Sequence, residues 1–356
     1  MVSKYLVPLI VFSFAWISHL SAEPEVLLAD TDPSSWQTCP EPECLPPPPE
    51  TCEQFPVSRG SLRGGFLYWF AKQNGLAFTN HSQSALTTSD FTRSSLVKPE
   101  FEWRPGFELA ASYGFNRSFW SLDLSFLYYW GKASGHKSTS GNDGIFPTLS
   151  IAPDTLPSDY VTSAKVKWTL STAILDAAAV YEWKTNSWFT LIPFIALRDV
   201  WITEKIRAAY DGATYNAGSD VVRMKSDFYG IGPLVGLTPK FILGEIFSLY
   251  GKASVSYLAS WFDVTQREVF LSTTRASLKR DVFKGSWNAN FAVGLKLTKK
   301  FSERSARVKS LELDLGFDYL FFTQAYEFVH GSQFSLPGQG KTLTLYGIHA
   351  SVGAYF

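Results

Sequence analysis

The sequence has little charge, and none to spare of either sign. Its 32 basic and 32 acidic residues cancel, and charged residues make up 18 % of 356. A balanced chain lacks the basic surplus that phosphate backbones require, which excludes nucleic acid as a partner. The charge fraction also falls below the roughly 25 % of ordinary soluble domains. Cysteine is scarce at 3 and histidine at 5. After residue 22 no stretch stays apolar long enough to cross a bilayer as a helix. There is no Gly-x-Ser-x-Gly elbow, no His-Glu-x-x-His pair and no glycine loop that would cradle phosphate. His81, His136 and His330 fall between the strands described below, and His349 points inward on the last of them. His330 lies near Glu327, a proximity that chance readily supplies. No catalytic constellation, cofactor site or metal site is therefore expected.

What is abundant is aromatic: 16 % of the chain, with 12 Trp and 29 Phe. The first residues read as an export signal. Lys4 precedes a nearly unbroken apolar run over 6–20, and Ser21-Ala22 offers small residues for cleavage before Glu23. From 23 to 58 the chain holds Cys39, Cys44 and Cys52 around a Cys-Leu-Pro-Pro-Pro-Pro-Glu run. Proline removes amide donors and favours extended chain, so no packed core is expected here. Three cysteines in an exported chain allow one internal disulfide and leave one thiol. A flexible tail with one bridge and cross-linking to other envelope proteins both remain open. Zinc would need another ligand, and a lipid anchor would need Cys at position 23.

From residue 59 onward the pattern changes to alternation with period 2. Leu311, Leu313, Leu315, Phe317, Tyr319 and Phe321 share one face, opposite Glu312, Asp314, Gly316 and Asp318. Trp287 to Leu297, Phe247 to Trp261 and Trp120 to Trp130 repeat it. A helix would mix these sets around its circumference, whereas a strand separates them.

About ten such segments are present: 59–74, 101–115, 118–132, 162–183, 188–207, 222–241, 247–268, 282–299, 308–328 and 342–356. They exceed the usual 5–6 residues of globular strands. Short connections at 116–117, 184–187 and 242–246 alternate with long polar ones at 75–100, 133–161, 208–220 and 331–341. The basic stretch 300–307 is a longer turn on the short side. Trp120 and Trp130 share a face, and a tilt near 45° sets them roughly 23 Å apart vertically, close to the apolar band of about 25 Å between aromatic girdles. The expected fold is all-β: an antiparallel transmembrane β-barrel of about ten strands with short periplasmic turns and long extracellular loops. The domains are then a signal peptide at 1–22, a Pro/Cys-rich periplasmic tail at 23–58 and a barrel at 59–356. A parity slip is expected near Asp176, and Pro193, Pro233 and Pro239 are awkward inside paired strands.

On the last strand Tyr346, Ile348, Ala350, Val352, Ala354 and Phe356 occupy one face. An apolar-alternating strand closing on terminal Phe resembles the signal read by the bacterial barrel-assembly machinery, the expected partner besides outer-membrane lipid. Three stretches carry a family likeness: Gly64-Gly-Phe-Leu-Tyr-Trp-Phe-Ala-Lys-Gln-Asn-Gly-Leu, Trp103-Arg-Pro-Gly-Phe-Glu-Leu-Ala-Ala-Ser-Tyr and Trp120-Ser-Leu-Asp-Leu-Ser-Phe-Leu-Tyr-Tyr-Trp. They resemble the major-outer-membrane-protein-like family of Legionella and environmental chlamydiae. The resemblance implies an outer-membrane barrel acting as porin-like channel, envelope scaffold or adhesin. It also makes disulfide cross-linking a family theme.

The expected lumen residues are Glu108, Asp123, Lys165, Lys167, Arg198, Lys252, Lys296, Glu312, Asp314 and Asp318. Unpartnered buried charge is costly, so these either pair or line water. Mixed signs favour porin-like passage of ions and small solutes with weak selectivity. Eight strands leave a filled barrel and 16–18 an aqueous channel, so about ten also admits a pore-less scaffold or adhesin. A barrel protease or lipase ranks behind both.

Overall fold

The computed structural model describes residues 60–82, 94–115, 119–139, 143–151, 160–212, 215–301, 308–328 and 342–356. The export signal, the tail with its three cysteines, and His330 lie outside these residues. Ten strands form the barrel: β1 (Gly60–Gln73), β2 (Trp103–Gly114), β3 (Trp120–Ser138), β4 (Ser163–Tyr181), β5 (Phe189–Gly212), β6 (Tyr215–Ile242), β7 (Phe247–Phe270), β8 (Thr273–Lys300), β9 (Ser310–Phe322) and β10 (Leu343–Tyr355). Each pairs antiparallel with its chain neighbours. The ring closes where β1 meets β10, from Ser61↔Tyr355 to Gln73↔Leu343. The Phe356 amide donates to the Gly60 carbonyl at 2.9 Å, so the barrel begins and ends at one rim.

That rim also carries the connections 115–119, 182–188, 243–246 and 301–309. The opposite rim carries three long connections, 74–102, 139–162 and 323–342, and two hairpin tips. The expected loop at 208–220 is instead strand: β5 and β6 stay paired from Phe189↔Phe241 to Tyr210↔Asp220 and on to Gly212↔Tyr215. Alternation continues there with Ala208, Tyr210 and Val222 buried, so the polar residues between them mark a face and not a loop. β7 and β8 likewise run past 268–282 and join through Leu271 and Ser272, with φ of 45° and 65°. Two left-handed residues are what a two-residue type I′ hairpin turn requires. Conversely, β9 stops at Phe322, short of the expected 328.

No slip occurs at Asp176, which stands opposite Ser125 and Arg198 in unbroken registers. Pro193, Pro233 and Pro239 are all within strands. The pairing of β6 with β7 skips positions 232–233 and 238–239, which is how a strand accommodates a residue with no amide to donate.

Parity holds along each strand, but its chemistry reverses. Toward the short-turn rim, Leu311, Leu313 and Leu315 are exposed while Glu312 and Asp314 are buried. Trp120 and Trp130, 47 % and 40 % exposed, both face outward as expected. Toward the other rim, Ala164, Val166, Trp168 and Leu170 are buried, whereas Lys165 and Lys167 are exposed. Lys165 and Lys167 therefore do not line the lumen. The rule that put polar residues inside fails where the strands have left the hydrocarbon.

Candidate functional site

On the short-turn side the inward faces enclose a polar chamber of about 310 Å³. Arg63 of β1 donates to Glu108 of β2 at 2.7 Å. Arg198 of β5 grips Asp176 of β4 through two bonds of 2.7 and 2.6 Å and also donates to Asn288 of β8. Paired, two-pronged contacts of this kind fix guanidinium and carboxylate in one geometry. Lys296 reaches Glu312 at 2.7 Å and Asp314 at 3.7 Å, with the Tyr250 ring 5.2 Å below its charge. Lys252 lies 5.4 Å from the centre of the Phe194 ring.

His349 sits among these groups. Its Nδ1 bonds the Asp318 carboxylate at 2.8 Å, and its Nε2 lies 3.0 Å from the Tyr250 hydroxyl and 3.4 Å from Asp314. The wall behind is flattened by Gly294 and Gly316, which face each other in register. A Cβ at Gly316 would come within 2.5 Å of the His349 ring, and one at Gly294 within 2.7 Å of the Tyr250 ring. Such a wall offers hydrogen-bonding groups to water or small polar solutes, and its opposite charges are largely paired with one another.

The long-loop side of the lumen is different. Trp69, Leu127, Ile174 and Leu320 roof the chamber and join a continuous apolar core. Trp168, Ile202, Phe228 and Phe262 supply it from the strands, while Leu76, Phe78, Ile145, Leu149, Tyr326 and Phe328 reach in from the connections. The connections expected to be polar loops thus carry apolar wedges. A three-stranded sheet of 94–97, 79–82 and 144–147 holds two of them together.

Hydrogen bonds pin this plug. Tyr210 donates to the Phe78 carbonyl at 2.7 Å and Thr148 to the Ala77 carbonyl at 2.6 Å. Glu268 accepts from Ser150 at 2.8 Å and from the Ile151 amide at 2.6 Å. Gln73 donates to the buried Glu204 at 2.7 Å. Glu327 pairs with Lys284 and Tyr326 donates to the Asn74 carbonyl, so Glu327 is committed to holding the plug. Burial pushes the Tyr326 hydroxyl well above the usual tyrosine range.

Of the expected lumen residues, Glu108, Asp123, Arg198, Lys252, Lys296, Asp314 and Asp318 line the chamber, and Glu312 is buried beside it on Lys296. Sequence reasoning missed Arg63, Asp176 and Tyr250. The signal for Arg63 was available: Leu62 and Phe66 face outward on β1, which turns residue 63 inward. No group of three or more metal-ligating side chains occurs among the described residues.

A family model described as Legionella pneumophila major outer membrane protein precursor matches residues 57–354. No curated protein matches. Among solved structures, the outer membrane protease OmpT from Escherichia coli is similar at TM-score 0.44 and 9 % identity, covering 84 % of this chain and 97 % of that one. A Pseudomonas aeruginosa FadL homologue is similar at 0.29 and 10 %, covering 84 % and 90 %. The Pseudomonas putida toluene transporter TodX is similar at 0.30 and 10 %, covering 85 % and 90 %. At these levels neither proteolysis nor toluene transport carries over to this chain.

Proposed function

The chain belongs to the Legionella major outer membrane protein family, and from that premise we propose that it is a pore-less envelope scaffold presenting its long-loop end at the cell surface. It resides in the bacterial outer membrane, with the short turns periplasmic. The observation that carries the proposal is the apolar core across the extracellular half of the lumen. Water and ions do not cross a packed layer of Trp, Phe and Leu side chains. Purified protein in a planar bilayer should stay electrically silent at moderate voltage. Steady conductance steps from correctly folded protein would overturn the scaffold reading.

Porin-like passage with weak selectivity is the second reading, and the charged chamber favours it. It requires the plug to leave the lumen. In that case neutralising Lys252 or Asp314 should alter the ion selectivity of whatever steps appear, because lumen charges set the local field.

A further inference from the structure

Above the apolar band the outward faces of the middle strands carry a pattern that neither reading uses. An aromatic row crosses four strands through ring contacts: Trp201–Tyr229 at 5.8 Å, Tyr229–Trp261 at 5.6 Å and Trp261–Phe283 at 5.1 Å. Such girdles mark the boundary of the apolar band. Beyond it the strands continue with cations. In register, Lys167 of β4 faces Arg207 of β5, which faces Arg223 of β6, which faces Arg267 of β7. One outward step closer to the aromatics, Lys205 faces Lys225.

Like charges directly opposite one another on a sheet are destabilising unless an anion lies between them. Among the described residues, no carboxylate pairs with Lys167, Lys205, Arg207 or Arg223. Lys225 is paired with Asp227, which also accepts from Thr203 at 2.8 Å. Asp227, Asp263 and Asp281 make a separate row nearer the aromatics on β6 to β8. The outward positions of 165–171 on β4 and 203–209 on β5 hold no carboxylate. The charge on this face is therefore unbalanced at β4 to β6.

Its height specifies the partner. Lys205 lies four residues beyond Trp201, roughly 9 Å higher at about 3.3 Å per residue and a tilt near 45°. That is the headgroup layer, which adds several ångströms beyond the hydrocarbon. Guanidinium groups bind phosphate in a two-pronged geometry, and ammonium groups bind it as point charges. We propose that Lys167, Lys205, Arg207 and Arg223 form a binding face for the phosphate groups of the outer leaflet's phosphorylated glycolipid. The inference rests on the outer-membrane location and is independent of whether the lumen conducts.

Full-length folded protein in detergent is titrated with diphosphorylated lipid A and with the same lipid after enzymatic dephosphorylation. Saturable binding of the first, and at least tenfold weaker binding of the second, is expected. The K167Q/R207Q/R223Q variant should lose at least tenfold in affinity for the phosphorylated lipid. K299Q/K300Q, altering exposed cations at the periplasmic end, should lose none. Heat-modifiable gel migration establishes folding of each variant, and the dephosphorylated lipid decides the matter on unaltered protein if the triple variant does not fold. Equal affinity for the two lipids, undiminished affinity of a folded triple variant, or an equal loss in K299Q/K300Q would overturn the proposal. So would binding of heparin with none of lipid A, which would assign the face to a sulfated polysaccharide.

Discussion

On β4, Trp168 and Leu170 face inward and are buried in an apolar core, while Asp176, further along the same inward face, lines a polar chamber. On the outward face the order reverses, from Lys165 and Lys167 to Leu175 and Ala177. The strand does not change its period, its register or its partners between the two regions. What changes is the solvent outside. In lipid the outer face must be apolar, and charges are tolerated inside because they find partners there. Beyond the hydrocarbon the outer face is polar, and the lumen must supply the hydrophobic core that holds the strand extensions together. One continuous barrel therefore follows two opposite interior rules, and mutations at equivalent inward positions should expose the difference.

The largest contrast lies between the two inward faces. Trp168 is fully buried and meets the Phe101 ring edge-on at 5.3 Å. Trp168→Ala should cost about 3–5 kcal/mol. Ser254, inward on β7, has a buried hydroxyl without a partner among the described residues. Ser254→Ala should change stability by about 0.5 kcal/mol or less, since it removes no hydrogen bond. Urea unfolding in detergent, followed by gel migration and tryptophan fluorescence, measures both. Equal effects would mean that the extracellular lumen is not a packed core.

The outward faces give the next contrast. Phe291 is exposed on β8 within the apolar band. Phe291→Arg should cost about 2–4 kcal/mol in a lipid bilayer. Thr265, outward on β7 beyond the aromatic row, faces Lys225 and Lys279, so Arg there should cost no more than about 1 kcal/mol, from cross-strand repulsion alone. Refolding equilibria in liposomes would show this, and a tolerated arginine at 291 would move the membrane boundary away from the girdle.

Much of this was legible in the sequence, and two of the errors share one source. The lipid-facing rows of β7, β8, β9 and β10 were readable because apolar and polar residues separate cleanly at period 2. The same polarity rule placed Lys165 and Lys167 in the lumen and turned the tips of β5 and β6 into a loop. Above the girdle the period persists while the polarity inverts. A signal for the plug lies in the sequence as well: Leu76 and Phe78, then Ile145, Phe146 and Leu149, are apolar clusters inside the otherwise polar segments 75–100 and 133–161. The meeting of Tyr250, Asp318 and His349 was not legible. These residues are separated by 31 to 99 positions, and only closure of the ring brings β7, β9 and β10 to one chamber.

The smallest expected effect tests the cation rows without any lipid. Arg207 and Arg223 stand directly opposite each other on β5 and β6. In lipid-free detergent at low salt their mutual repulsion should appear in a double-mutant cycle of Arg207→Gln and Arg223→Gln. The coupling should be unfavourable by about 0.2–1 kcal/mol, the range for cross-strand pairs. It should vanish near 1 M salt, where screening shortens the Debye length to about 3 Å. A favourable coupling would mean that an anion bridges the two guanidinium groups even in the purified protein. Organic phosphate measured in that preparation would then tell whether the bridging anion is carried over from the membrane. Either sign separates this face from the chamber below, where Arg63 and Arg198 each have a carboxylate of their own.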